Sequence, residues 1–207
     1  MRCAYCHNPD TWKQEGAERW TTGDILDRAE RFRTYWGEKG GITVSGGEPM
    51  LQTEFVTELF REAHKRGINT CIDTSAQPYK PVEIFDQLFQ QCDTVLLDIK
   101  HIDDEAHRRL TGHSNQNILD CARRLDEMGV PVWIRHVLVP GITDDDDALY
   151  RLRQFLNTLG NIQRIDVLPY HTMGRYKWQQ LGIPYPLEST EPPTAERIEN
   201  ARRILNA

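Results

Sequence analysis

Cys3 and Cys6 stand two residues apart in "MRCAYCHNPDTW", and His7 follows at once. Soft thiolates at this spacing are metal ligands or redox partners. Haem attachment, half of a zinc site, a redox dithiol and part of an iron–sulfur ligand set all share the pattern. Covalent haem belongs with export and a second axial ligand. Structural zinc wants two more Cys or His at tight spacing, with only His7 near, and a thioredoxin-type dithiol wants a strand before it. A lone C-x-x-C does not choose among these, so the remaining polar residues must.

Those residues fall in a pattern. Ser45, Gly46, Gly47 and Glu48 follow "GITV", Asp73 and Thr74 end "NTCIDT", Asp98 and Lys100 end "TVLLDIK", Arg135 lies in "PVWIRHVLVPG", and His171 follows "RIDVLPY". Each run is short, aliphatic and β-branched, as strands are. Stretches of helical period separate them: "TTGDILDRAERFRTYW", "TEFVTELFREAHKRG", "KPVEIFDQLFQQC", "NQNILDCARRLDEMG" and "DDDDALYRLRQFLNTLG". Gly67 and Gly129 mark helix ends, Pro81 a first turn, and Thr143 with its acidic neighbours the opening of another helix. Repeated βα units imply an α/β fold with parallel strands. The near-continuous apolar runs imply strands buried on both faces. In such a fold all strand C-termini share one face, where active sites form. Five strands thus aim chemistry at one place.

Composition narrows the classes. Lys and Arg number 25 against 31 Asp and Glu, a net charge of -6, which argues against gripping nucleic acid by its backbone. No apolar run is long enough for a bilayer and the first residues do not read as a signal peptide, so a cytoplasmic protein off the membrane is expected. Five scattered cysteines make no disulfide framework, and Cys71, Cys92 and Cys121 read as small hydrophobes. The run Asp144 to Asp147 reads as a helix start favoured by the helix dipole rather than a metal site. Trp12, Trp20, Trp36 and Trp178 read as core or interface aromatics.

Taken in order, "MRCAYCHNPDTW", "TVSGGEP", "IDTS", "LLDIK", "VWIRHVLVPG" and "LPYH" resemble the radical S-adenosylmethionine family over nearly the whole chain. The resemblance implies a partial (β/α) barrel and a 4Fe-4S cluster held by three cysteines of a C-x-x-x-C-x-x-C loop. S-adenosylmethionine would bind the open iron and, on reduction, yield methionine and a 5′-deoxyadenosyl radical. Carried over, Cys3 and Cys6 are the last two cluster ligands, with Tyr5 at the family's aromatic position. Gly46, Gly47, Glu48, Lys100, Arg135 and His171 contact S-adenosylmethionine, and Asp73, Thr74 and Asp98 match a monovalent cation site. No side chain is expected to act catalytically beyond the cluster and this site. The absence of cysteines between Cys6 and Ser45 favours the type whose partner is pyruvate formate-lyase, which would receive a glycyl radical, with flavodoxin or a similar donor supplying electrons to a monomer. The alternatives are a relative with a small-molecule substrate and a form without a functional cluster.

One element of the pattern is missing. The first cysteine would fall before Met1, so the resemblance implies an N-terminally truncated sequence lacking that ligand and the first barrel strand, with poor cluster assembly in these 207 residues alone. One domain is expected over 1–207, with 1–12 the remnant of the cluster loop and 183–207 a C-terminal extension and helix.

Overall fold

A computed structural model describes residues 1–12, 16–37 and 40–206. Five strands form one parallel sheet: β1 (Gly41–Val44), β2 (Asn69–Thr74), β3 (Thr94–Asp98), β4 (Val132–Leu138) and β5 (Ile162–Pro169), in the spatial order β1-β2-β3-β4-β5. Strand order equals chain order, so the sheet has no reversal point and does not close. Crossovers of one hand between successive neighbours must then place the helices on the same face. The strand pattern implied a parallel sheet, and the open five-stranded form is the partial barrel that the family resemblance implied.

The helices among the described residues are α1 (Thr22–Glu30), α2 (Arg33–Trp36), α3 (Thr53–Lys65), α4 (Glu83–Phe89), α5 (Asp104–Thr111), α6 (Gln116–Glu127), α7 (Asp146–Leu156), α8 (Arg175–Gln180) and α9 (Ala195–Leu205). The single period read over Thr21 to Trp36 is broken between α1 and α2. The sequence reading missed α5 and α8. Pro81 lies ahead of α4 and not in its first turn, since Val82 is the N-cap. Thr143 opens no helix either: its hydroxyl donates to Val137 O at 2.6 Å and accepts from Val139 N at 2.7 Å, while Asp145 caps α7 through Ala148 N at 2.9 Å. Gly67 and Gly129 do follow helices, in the left-handed region.

Burial corrects the reading of the strands. They alternate instead of being covered on both sides: Ile72, Val95, Leu97, Ile134 and Leu138 are buried, whereas Cys71, Asp73, Leu96, Asp98 and Arg135 between them are only half-buried and Trp133 is exposed. The sheet therefore has one face packed on helices and one open face. The main core fills the packed side, with Phe60 of α3, Phe89 of α4, Leu125 of α6, Leu152 of α7 and Ile204 of α9. Cys92 and Cys121 lie in it, and burial pushes both thiols up. A second cluster (Cys3, Tyr5, Leu110, Val139, Tyr170, Trp178, Tyr185, Leu187) sits with the N-terminal loop.

The capping role of Asp145 has a direct test. Asp145→Ala is expected to lower stability by about 1 kcal/mol. Asp147→Ala, which leaves the cap intact, is expected to change it by less than about 0.5 kcal/mol in urea denaturation.

Candidate functional site

The cysteine loop turns on itself and is held from both sides. Cys6 N donates to Cys3 O at 3.0 Å, and Ala4 N donates to Leu110 O, at the end of α5, at 2.9 Å. From the segment after β5, Trp178 Nε1 donates to Cys6 O at 2.8 Å, and Lys177 Nζ reaches Asn8 Oδ1 at 2.8 Å and Asp10 Oδ1 at 3.1 Å. The rings of His7 and His171 lie 4.1 Å apart with a tilt of 31°. Burial, then the neighbouring His171, pushes His7 below the ordinary imidazole range. Cys3 is buried and Cys6 half-buried; burial raises the Cys3 thiol against the pull of the Lys100 ammonium.

The loop after β1 is shaped around Glu48. Its carboxylate accepts from Met50 N at 3.2 Å, capping the short 3-10 turn Pro49–Gln52. It also accepts from Thr74 Oγ1, from Ser75 N at 3.0 Å and from Ser75 Oγ. Gly46 takes φ +136°, a conformation that a side chain would strain, so backbone alone occupies this corner. Ala76 takes φ +51° just beyond β2, and its N–H bonds Thr74 Oγ1 at 2.8 Å. The role of Ser75 is not legible in the sequence, since nothing local marks a Thr-Ser pair as a carboxylate cradle.

Across the open face runs a ladder of alternating charge. Arg135 grips Asp73 with both terminal nitrogens, one at 2.9 Å, and its Nε donates to Asp98 Oδ1 at 3.0 Å. Asp98 Oδ2 accepts from Lys100 Nζ at 3.0 Å. The register explains the reach: Asp98 and Arg135 are direct neighbours on β3 and β4, and Asp73 lies one strand further on, opposite Leu96. The four side chains are 10% to 21% exposed, dry enough for the pairing to matter. Burial, helped by Asp98, raises Asp73 despite Arg135. Burial works to lower Lys100, yet Asp98, Tyr5 and Cys3 hold it well above its ordinary value. Lys100 Nζ also lies 5.5 Å from the centre of the Tyr5 ring, tying the ladder to the cysteine loop. The Tyr5 hydroxyl is buried with no hydrogen-bond partner among the described residues.

A cavity of about 920 Å³ opens between these parts, lined by Cys6, His7, Ser45, Gly46, Gly47 and Glu48, and by Thr111, Gly112 and His113 at the end of α5. The structure thus brings the cysteine loop and the glycine loop to one space. Asp73, Thr74, Asp98, Lys100, Arg135 and His171 stand outside its lining: Thr74 bonds Glu48 and the His171 carbonyl faces His7, both of which line it, Lys100 lies against Tyr5, and Asp73, Asp98 and Arg135 join it through Lys100. The three residues read as cation ligands are committed elsewhere: Thr74 to Glu48, Asp73 to Arg135, and Asp98 to Arg135 and Lys100. Cys6 lines the cavity and Cys3, three positions back on the same loop, is buried behind it, a spacing that fits two ligand positions of an iron–sulfur cluster. They do not complete a set, and no group of three or more His, Cys, Asp or Glu placed to hold a metal occurs among the described residues. The space itself suits a nucleotide-sized ligand. No helix among the described residues is long and apolar enough to cross a membrane.

Residues 1–153 match the family model described as the Radical SAM superfamily. The chain is 52% identical over 212 aligned positions to the pyruvate formate-lyase-activating enzyme of Streptococcus mutans, covering all of this chain and 81% of that protein. It is 48% identical to the same-named enzyme of Staphylococcus epidermidis, covering 84% of it. Among solved structures, a domain of a pyruvate-formate lyase-activating enzyme from Bacteroides vulgatus matches with a TM-score of 0.68 at 27% identity, over 81% of this chain and 93% of that one. A radical SAM methyltransferase from Sphaerobacter thermophilus matches with a TM-score of 0.70 over 99% of this chain and 59% of that one; at 21% identity it speaks for the fold alone.

The charge ladder predicts its own pH signature. Arg135→Gln leaves Asp73 and Asp98 without their shared cation and is expected to cost about 2–4 kcal/mol at pH 7. A carboxylate whose folded value stands above its unfolded one weakens the fold at high pH and is relieved as pH falls into that window. The deficit, from urea midpoints, should therefore shrink between pH 7 and pH 4; a deficit independent of pH contradicts the assignment.

Proposed function

We infer the function of this chain from its family: it belongs to the radical SAM superfamily, and it activates pyruvate formate-lyase by generating a glycyl radical. The observation that carries this reading beyond the fold is that the cysteine loop, through Cys6, faces the Ser45–Glu48 loop across one cavity. A 4Fe-4S cluster and S-adenosylmethionine, when bound, supply an electron to the sulfonium and a 5′-deoxyadenosyl radical that takes a hydrogen atom from the partner's glycine.

The chain's own residues bind and orient. Cys3 and Cys6 are two of the three thiolate ligands, and a third thiolate is required. Gly46 and Gly47 present backbone to the methionine part of S-adenosylmethionine, and Glu48, fixed by Thr74 and Ser75, faces its ammonium group. Arg135 and Lys100 supply positive potential for its carboxylate, and His171, stacked behind His7, shapes the side toward the ribose and base. Asp73 and Asp98 hold those cations in place. A monovalent cation at Asp73, Thr74 and Asp98 enters this reading only by displacing one of the partners they now have. The electron donor is a flavodoxin or similar protein, and the enzyme acts as a monomer in the cytoplasm.

The test is anaerobic. The chain is loaded with iron and sulfide, alone and with an N-terminal extension placing a cysteine four positions before Cys3, then reduced with dithionite and given S-adenosylmethionine and pyruvate formate-lyase. The extended form is expected to yield 5′-deoxyadenosine and a glycyl radical signal by electron paramagnetic resonance. Cys6→Ser should abolish both, and Gly46→Ala should slow turnover about ten-fold through backbone strain. No product from the extended form would overturn the reading.

A further inference from the structure

The cysteine loop has little of its own to hold it. Its backbone bonds are the Cys6–Cys3 turn, the Ala4 bond to Leu110 and the Thr11 bond to Asn8 at 3.1 Å. Besides the Lys100 contact with Tyr5, the bonds that hold it come from the start of α8, far along the chain. Gly174, Lys177 and Trp178 are spaced i, i+3 and i+4 at the start of α8, so they face one way. A Cβ on Gly174 would stand 2.8 Å from His7 Cα, so the loop rests directly on this backbone. Lys177 bonds Asn8 and Asp10. The Trp178 indole is 3% exposed and is wedged edge-on between Trp12, at 5.1 Å, and Tyr185, at 5.3 Å. Held there, its N–H donates to Cys6 O at 2.8 Å.

We propose that Trp178, supported by Lys177, is the positioning residue of the cysteine loop: its indole N–H pins the Cys6 carbonyl and thereby sets where the Cys6 thiolate points. Groups one bond removed from a metal ligand orient it and commonly change metal retention by 10- to 100-fold. For its meaning in catalysis the proposal rests on Cys6 being a cluster ligand; the clamp itself does not.

The five cysteines provide the assay, because three of them lie outside the loop. Trp178→Phe keeps an aromatic wedge and removes the N–H. Alkylation by iodoacetamide, resolved by residue with mass spectrometry, should then speed up about five-fold at Cys3 and Cys6, the scale of one hydrogen bond, and stay unchanged at Cys92 and Cys121. Lys177→Met should act in the same direction. Unchanged rates at Cys3 and Cys6, or equal acceleration at all buried cysteines, would overturn the proposal. In the cysteine-extended form loaded with iron and sulfide, Trp178→Phe should also release iron to a chelator about ten-fold faster. Faster alkylation without faster iron release would leave the clamp standing and remove Cys6 from the ligand set.

Discussion

Two carboxylates on adjacent strands of an open sheet face repel each other unless cations stand with them, and everything at the strand ends is arranged around that requirement. Arg135 crosses from β4 to hold Asp98 and Asp73 together, and Lys100 closes the series. Removing one member of such a half-buried set leaves a charge without a partner, which costs more than the intact set contributes. The ladder therefore acts as a constraint on geometry more than as a source of stability. It fixes where two cations sit on the face of the sheet that the helices leave open.

From there the constraint passes outward. Lys100 lies beneath the Tyr5 ring and its charge is felt at Cys3, so the strand-end network reaches the cysteine loop. On the other flank, Thr74 and Ser75 at the end of β2 hold Glu48, which shapes the glycine loop after β1. The loops facing each other across the cavity are thus both anchored on strand ends of one rigid sheet. The sequential strand order makes this workable: with the helices on one side, the polar ladder has the other side to itself.

The sequence made much of this legible. All five strands, and the rule that parallel strand ends converge, placed Glu48, Asp73, Asp98 and Arg135 near one another before any coordinates. Local signals sufficed there because each residue lies in or just beyond a short aliphatic run. The alternation of burial was not legible: half-buried positions such as Leu96 and Val137 are apolar, so an open face read as a buried one. Nor was the clamp of Trp178 on Cys6, since a contact across 172 positions leaves no local trace. The helices α5 and α8 are too short for an apolar period to stand out, although α5 does carry local signals in the Asp103 N-cap, the acidic first turn and Gly112 at its end. Partnerships were the hardest part. Thr74 and Asp98 look like free oxygen ligands in sequence and are committed to Glu48, Arg135 and Lys100 in the fold.

The most direct test of the central claim is amide hydrogen exchange in Lys100→Met. If the strand-end ladder orders the cysteine loop through Lys100, the Ala4 and Cys6 amides should lose protection while the Ile99 amide, bonded to Arg135 O at 3.1 Å, keeps it. Unchanged protection at Ala4 and Cys6 would contradict the account, because the loop would then be held without the charge that joins it to the sheet.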